Sequence, residues 1–178
     1  TSYAAKIYKQ YGNDSISVMK ENPYKLADDI WGIGFKTADQ IAMKLGFGLE
    51  SYVRLRSGLM YTLSELSNEG HVYAEKQQLV DKAAELLEAA PETVIMTIDD
   101  MLQKEELILE KNIIRTDEDG NRITAIYLPP FFYAEVGVAG KLKKLASSPA
   151  GDKLYTRLME ARKSSGNEAL SVDIEAIQ

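Results

Sequence analysis

Apolar residues in the first part of the chain recur at intervals of three and four, which is the spacing of amphipathic α-helices. A first short helix is predicted to end at Gly12, and a second follows an Asn or Asp cap within NDSISVMKE. Pro23 is placed to open a third helix, because proline is accepted in the first turn. A fourth helix is predicted from about Lys36 to Leu45. The N-terminal region is therefore expected to consist of short helices on short connections.

A second region begins with a longer apolar stripe, which predicts a helix from Ser51 to about Asn68. A short strand within HVYA follows, and then helices over residues 75–87 and from Pro91 onward. Two strand-like runs, LILEKNIIRT and RITAIYLP, flank Asp119-Gly120, a pair typical of a hairpin turn. The order helix, strand, helix, helix, strand, turn, strand is that of a winged helix.

The chain after Pro129-Pro130 returns to helical spacing, with helices predicted over residues 133–147 and 152–163. The residues that follow have the composition of a tail or linker. The predicted fold class is therefore mainly α with a small β-hairpin.

Composition narrows the chemistry that this chain can perform. Among its 178 residues there is no cysteine, which excludes disulfides, thiolate metal sites and thiol nucleophiles and fits a reducing, cytoplasmic location. No apolar run approaches the roughly 18 residues that cross a bilayer, so no membrane partner is expected. The first residue is Thr1, not Met, which suggests a piece of a longer protein. His71, the only histidine, is expected in the core or on the surface and not at a metal.

The net charge of −6 is unevenly distributed along the chain. The first 50 residues hold six basic and six acidic side chains, whereas residues 51–113 hold six basic and twelve acidic ones. The predicted helix after Pro91 carries much of this acidity, in Glu92, Asp99 and Asp100, with Glu105 and Glu106 following. Phosphates would be repelled there, so the face over residues 92–106 is interpreted as a scaffold or a docking surface for a protein partner. The basic residues Lys111, Arg115 and Arg122 are interpreted as part of a solvated hairpin.

The stretch DDIWGIGFKTADQIAMKLG, residues 28–46, places two glycines around Ile33 between helical segments. Gly32 and Gly34 are both free to take positive φ, so a tight turn is predicted with Ile33 directed into the core. The first N–H groups of the next helix lack internal acceptors and, with the helix dipole, can bind a phosphate. Lys36 and Thr37 are placed to add side-chain contacts. Trp31 is expected in the core, with base stacking as the alternative.

This pattern resembles a helix-hairpin-helix DNA-binding motif, in which the hairpin backbone holds a phosphate without reading bases. The motif positions are occupied by Ala27, Ile30, Gly32, Ile33, Gly34, Ala38, Ile41 and Ala42. The family usually carries two such motifs. TSYAAKIYKQYG aligns with FKTADQIAMKLG at an offset of 34, which is interpreted as the second half of a truncated first copy. Neither single-stranded nor duplex DNA is favoured by the sequence as the form that is bound.

Other phosphate-binding and catalytic motifs fit less well. GIGFKT has neither the glycine spacing nor the lysine position of a P-loop, and Thr37 occupies the third glycine position of a dinucleotide fingerprint. Helix-hairpin-helix DNA glycosylases share the KTA sequence and can use the lysine as a Schiff-base nucleophile. Lys36 matches that lysine, but YVRLR, residues 52–56, lacks the carboxylate that such enzymes need.

The order of these regions, together with YLPPFFYAEVGVAGKLKKL, resembles the region ahead of the motor in RecD-like ATP-dependent DNA helicases. The resemblance implies a helix-hairpin-helix domain over residues 1–50, a winged-helix-like domain over 51–130 and a helical linker over 131–178. It also implies a parent enzyme of DNA repair and recombination, with a superfamily 1 motor that moves 5′ to 3′ and uses ATP and Mg²⁺. The 178 residues themselves are expected to bind DNA, to carry no cofactor and to catalyse nothing. The alternatives are a protein-interaction adaptor of a DNA-repair complex and a glycosylase or lyase.

Overall fold

Short helices follow one another from the N-terminus, as the apolar spacing predicts. The structure is a computed structural model that describes residues 2–111 and 123–148, together with 151, 153 and 155–157. The N-terminal helices are α1 (Tyr3–Tyr11), α2 (Ser15–Glu21), α3 (Lys25–Asp29) and α4 (Phe35–Lys44). They are followed by α5 (Tyr52–Asn68), β1 (Ala74–Glu75), α6 (Lys76–Leu87), α7 (Pro91–Gln103), β2 (Ile108–Glu110), β3 (Ala125–Tyr127) and α8 (Pro129–Ala146).

The ends of the first helices have local causes. Gly12 and Gly46 follow α1 and α4 with φ of 55° and 87°, a conformation that glycine adopts without strain. A 3-10 turn over Gly12–Asp14 leads into α2, where the Asp14 side chain makes no capping hydrogen bond. Instead, the Ser15 hydroxyl donates to the carbonyl of Gly12 at 2.6 Å. The helix predicted within NDSISVMKE is confirmed, and Asp14 is its N-cap residue, but the expected capping hydrogen bond is not made.

The core of residues up to Phe132 is built mainly by α5, α6 and α7. Each contributes an apolar stripe, and the residues on these stripes that are almost inaccessible to solvent are Leu55, Leu59, Leu63, Leu66, Leu79, Val80, Ala83, Leu87, Val94, Ile98 and Met101. Burial of these side chains supplies the main favourable free energy of folding. The apolar stripe that the sequence predicts for α5 is confirmed.

The three short strands form an antiparallel sheet with the order β1-β3-β2. Ile126 is the central residue, because it pairs with Ala74 on one side and with Leu109 on the other. The predicted turn at Asp119-Gly120 lies outside the described residues.

The described residues from Tyr133 onward form a second unit, into which α8 continues. The helix begins at Pro129, because the two prolines of Pro129-Pro130 fit a first helical turn. It therefore starts earlier than the predicted residue 133. The predicted helix over 152–163 lies largely outside the described residues. In the part of the chain that the structure describes, no helix is long and apolar enough to cross a membrane.

The crossing of α5 and α6 depends on Gly58. A methyl group at this position would lie 2.5 Å from Leu87 Cδ2, and the Leu87 side chain is fully buried. We expect Gly58→Ala to lower stability by about 1 kcal/mol, since overpacking costs about 1–3 kcal/mol and alanine regains about 1 kcal/mol of helix propensity. Urea unfolding measures this difference. Gly140→Ala in α8, where nothing lies within 4 Å of the added carbon, is the control and should not lower stability. Equal effects of the two changes would contradict close packing at Gly58.

Candidate nucleic-acid interface

The turn between α3 and α4 is made by Gly32. This residue has φ of 83°, whereas Gly34 has φ of −94° and ψ of 175° and is the N-cap of α4. The N–H of Ile33 donates to the carbonyl of Ile30 at 3.0 Å and closes the turn. The expectation that both glycines take positive φ is therefore wrong for Gly34. An N-cap residue is normally extended, so the left-handed step is needed only once.

Buried side chains hold the hairpin on both sides. Ile33 is 2% exposed, as predicted, and Ile30 is also buried. Ala38 and Ala42 are fully buried on α4, where their small side chains allow the neighbouring elements to approach. The backbone between Ile30 and Ile33 is therefore fixed at each end.

The N-terminus of α4 is open to a ligand. The carbonyl of Gly34 accepts from the N–H groups of Thr37 and Ala38, at 3.1 and 3.0 Å. Within residues 2–111 and 123–148, the N–H groups of Gly34, Phe35 and Lys36 have no acceptor. These free donors and the positive end of the helix dipole favour an anion.

The two side chains predicted to add contacts to a phosphate, those of Lys36 and Thr37, differ in their exposure. Lys36 is exposed beside the free N–H groups, whereas Thr37 is half-buried. Gly34 leaves open space, since nothing lies within 4 Å of a carbon built at its Cβ position. An anion at the α4 N-terminus therefore meets backbone donors first and the Lys36 ammonium second.

Trp31 is not in the core. Its side chain is 95% exposed, so the expectation of burial is wrong. The Trp31 carbonyl accepts a hydrogen bond from Lys6 Nζ at 3.1 Å. Lys6, which the sequence analysis did not single out, thus brings a positive charge from α1 to the hairpin. The offset of 34 gave no indication of it, because it aligns Lys6 with Gln40.

Comparison with known families agrees with this geometry. Residues 1–73 match the family described as the ATP-dependent RecD2 DNA helicase HHH domain. Over residues 1–73 the chain is similar to that domain, and we call this stretch the RecD2-type domain. The resemblance to the helix-hairpin-helix region of RecD-like helicases is confirmed on this stretch, which is less than half of the 178 residues. The match continues through α5 and ends just before β1.

The RecD2-type domain is tied together by a buried polar cluster around Arg54. Its Nε and Nη2 donate to the two carboxylate oxygens of Asp39 at 2.9 and 3.0 Å, a bidentate pair. Its Nη1 donates to the carbonyls of Leu49 and Leu87 at 3.0 and 2.6 Å. The Tyr24 hydroxyl donates to Asp39 at 2.6 Å, and burial together with this bond raises the pKa of Tyr24. One guanidinium therefore connects α4, α5 and the last carbonyl of α6.

Acidic groups lie close to the hairpin of the RecD2-type domain. Asp29 accepts a hydrogen bond from the Tyr11 hydroxyl at 2.7 Å, and burial together with this bond raises the pKa of Tyr11 to about 12. Burial also raises the pKa of Asp28, with a further contribution from Asp29. The nearby cations Arg56 and Lys25 act on Asp28 in the opposite direction, so the charge at this end of α3 is mixed.

The acidic face over residues 92–106 is partly neutralised by cations. Lys76 Nζ lies 3.2 Å from Asp99, and Lys104 Nζ lies 2.7 Å from Asp100. Glu106 pairs with Arg56 of α5. Because of these pairs, the surface is less negative than its sequence indicates. The partners come from α5, α6 and the end of α7.

A metal site is absent from the part of the chain that the structure describes. No group of three or more His, Cys, Asp or Glu side chains is arranged there to hold an ion. His71 is exposed.

Removal of the buried guanidinium should destabilise the protein strongly. Arg54→Met keeps the length of the side chain but leaves Asp39 and two carbonyls without their donor, so a loss of about 3–5 kcal/mol is expected. Urea unfolding followed by circular dichroism measures it. Arg56→Met is the matched control, because the pair of Arg56 with Glu106 is partly exposed and should contribute about 0–1 kcal/mol. A small, equal effect of the two changes would show that the Arg54 cluster does not stabilise the fold.

Proposed function

We propose that this chain is a non-sequence-specific DNA-binding accessory region of an ATP-dependent superfamily 1 helicase that moves 5′ to 3′. The observation that carries the proposal is the open N-terminus of α4, at a Gly-Ile-Gly turn, within a RecD2-type domain. A DNA phosphate is the anion that such a domain of a DNA helicase would meet. Proteins hold phosphates in this way without reading bases.

The proposed contact begins with the backbone. A phosphate oxygen accepts from the N–H groups of Phe35 and Lys36, and the absence of a side chain at Gly34 allows the phosphate to approach. The Lys36 ammonium adds a charge that can follow the phosphate, and the Thr37 hydroxyl lies at the edge of the contact. Gly32 and Ile33 supply the turn and its anchor. Sequence preference is not expected, because no base edge is involved.

The residues from α5 onward are proposed to act as a scaffold. The element order and the sheet order β1-β3-β2 support a winged-helix-like arrangement over residues 51–130. The acidic residues of α7 make it a poor reader of the major groove. A protein partner at the face over residues 92–106 is the second candidate, favoured by the exposed carboxylates of Glu92 and Glu105.

ATP-dependent catalysis is assigned in this proposal to the parent protein and not to these 178 residues. In this proposal ATP and Mg²⁺ belong to a motor domain, because GIGFKT lacks the P-loop spacing that would hold a nucleotide. We place the protein in the cytoplasm, in association with DNA.

Gly34→Val tests the phosphate contact while leaving the fold intact. Valine accepts φ of −94° and ψ of 175°, and space for its side chain is open. The side chain would instead exclude the phosphate, so binding to duplex DNA should be lost with stability unchanged. Fluorescence anisotropy measures the affinity over a series of salt concentrations. For the wild type, log K should fall against log salt with a slope of about −0.9 per neutralised phosphate.

Wild-type affinity in Gly34→Val, together with loss of binding when Arg115 and Arg122 are replaced, would contradict the hairpin as the site.

Lys36→Ala should weaken binding without abolishing it. The backbone donors remain, while the salt slope falls by about 0.9 for the phosphate that Lys36 neutralises. Lys44→Ala, an exposed lysine at the other end of α4, is the matched control and should leave affinity and slope unchanged. Equal losses in the two variants would mean that general charge, not position, determines binding.

The isolated chain should show neither ATPase nor lyase activity. Lys36 lies on α4, whose carboxylate Asp39 is already bonded to Arg54 and Tyr24. On α4 itself no unengaged carboxylate is therefore available to assist a Schiff base at Lys36, and residues 52–56 contain none. Incubation with abasic DNA and borohydride should give no covalent adduct, and an adduct at Lys36 would overturn this expectation.

A further inference from the structure

The indole of Trp31 is 95% exposed, although the residues around it are fixed. Ile30, on one side, is buried, and Ile33, two residues further on, is buried as well. The carbonyl of Trp31 accepts from Lys6 Nζ, which adds a third restraint on the backbone. Exposure of so large an apolar surface costs free energy unless a ligand covers it. The turn therefore presents an aromatic ring from a restrained backbone.

We propose that Trp31 is a stacking platform for an unpaired DNA base, which gives the RecD2-type domain a preference for single-stranded over duplex DNA. The inference rests on the proposed function, since the phosphate at the α4 N-terminus brings the strand to the ring. Trp31 lies three residues before Gly34 and hence no more than about 11 Å from it along the chain. The nucleotide that is held, or its neighbour, can therefore reach the indole.

The charges around the hairpin favour a nucleic acid that contacts the protein through a base as well as through its phosphates. Lys6 and Lys36 attract the DNA backbone, but the first 50 residues carry as many acidic as basic side chains, six of each. A contact made only by phosphate is therefore weak. Stacking of a base on an indole does not depend on this balance, because every base has a π-face. Stacking on the exposed Trp31, next to the Lys6 ammonium, thus adds to the affinity for DNA where attraction between charges is weak.

The same geometry distinguishes the two forms of DNA. Bases within a duplex are stacked on one another, and only their edges face the grooves. The face of a base reaches Trp31 only in a single strand or in an unpaired segment next to a duplex. Duplex DNA is left with the phosphate contact alone.

Trp31 is the only tryptophan, so the intrinsic fluorescence of the chain reports on this residue directly. Titration of the full chain with an oligothymidylate, excited so as to spare the tyrosines, should quench the emission to saturation. A duplex of equal length should quench it little. The midpoint of quenching should agree with that of anisotropy measured on a labelled strand.

Trp31→Ala should lower the affinity for the oligothymidylate by about fivefold to a hundredfold, the range expected for one stacked base. Its affinity for the duplex should remain that of the wild type. Trp31→Phe keeps an aromatic ring, and its affinity for the oligothymidylate should lie between those of the wild type and of Trp31→Ala. Tyr8→Ala is the matched control, because Tyr8 is also exposed and points away from Lys6 on α1. It should bind as the wild type does.

The outcomes separate this inference from the proposed function. If Gly34→Val removes duplex binding but Trp31→Ala binds the single strand normally and no quenching occurs, the stacking inference is wrong and the phosphate site stands. If Trp31→Ala weakens single-strand and duplex binding equally, Trp31 does not select unpaired bases and the inference is also overturned. If Gly34→Val leaves binding to both forms unchanged, the proposed function itself fails.

Discussion

The guanidinium of Arg54 is buried, and its hydrogen bonds determine how the RecD2-type domain is joined to the helices that follow. It reaches the Asp39 carboxylate in the middle of α4 and the carbonyl of Leu87 at the end of α6. The last carbonyls of a helix lack internal partners and carry the negative end of the dipole, so a cation is stabilised there. Without this group, Asp39 would be partly buried with no positive partner. Because α4 also carries the candidate phosphate site, the position of that site depends on the cluster.

The hairpin illustrates how burial of a few residues leaves others available to a ligand. Ile30 and Ile33 occupy the core, and the single left-handed residue Gly32 makes the turn between them. The chain then has no freedom to bury Trp31, since its neighbours direct it outward. Gly34 begins α4 in an extended conformation with open space before it. The free donors and the exposed indole are thus two results of one backbone path.

Much of the fold could be predicted because helices in this chain follow apolar spacing closely. The bounds of α4, α5, α6 and α7, and the burial of Ile33, agree with the sequence to within a residue or two. Trp31 could not be placed, because a residue in a turn belongs to no periodic face and hydrophobicity alone favours the core.

The electrostatic contacts were equally inaccessible to sequence analysis. In the sequence, YVRLR indicated only that residues 52–56 lack a carboxylate. In the structure, Arg54 within this stretch pairs with Asp39 and with the carbonyl of Leu87, which lie 15 and 33 positions away. The acidic face over 92–106 is partly neutralised by Lys76 and Arg56, which come from other helices. Periodicity describes which side of a helix is buried, but it does not state which charges meet. Such pairs depend on tertiary structure.

Local charge also bears on how a module of this kind could be useful. The first 50 residues carry six basic and six acidic side chains, so free in solution the domain is expected to bind DNA weakly. In the proposed parent helicase, attachment to a motor that already holds a strand would change the requirement, because the second contact becomes intramolecular and the effective concentration rises to about the millimolar range. A weak, sequence-independent contact then helps to keep the protein on the DNA. A tight contact would instead slow the release of the DNA at each step. A balance of charges over the first 50 residues is therefore compatible with the proposed accessory role beside a moving enzyme, where a strongly basic surface would hold the DNA in place.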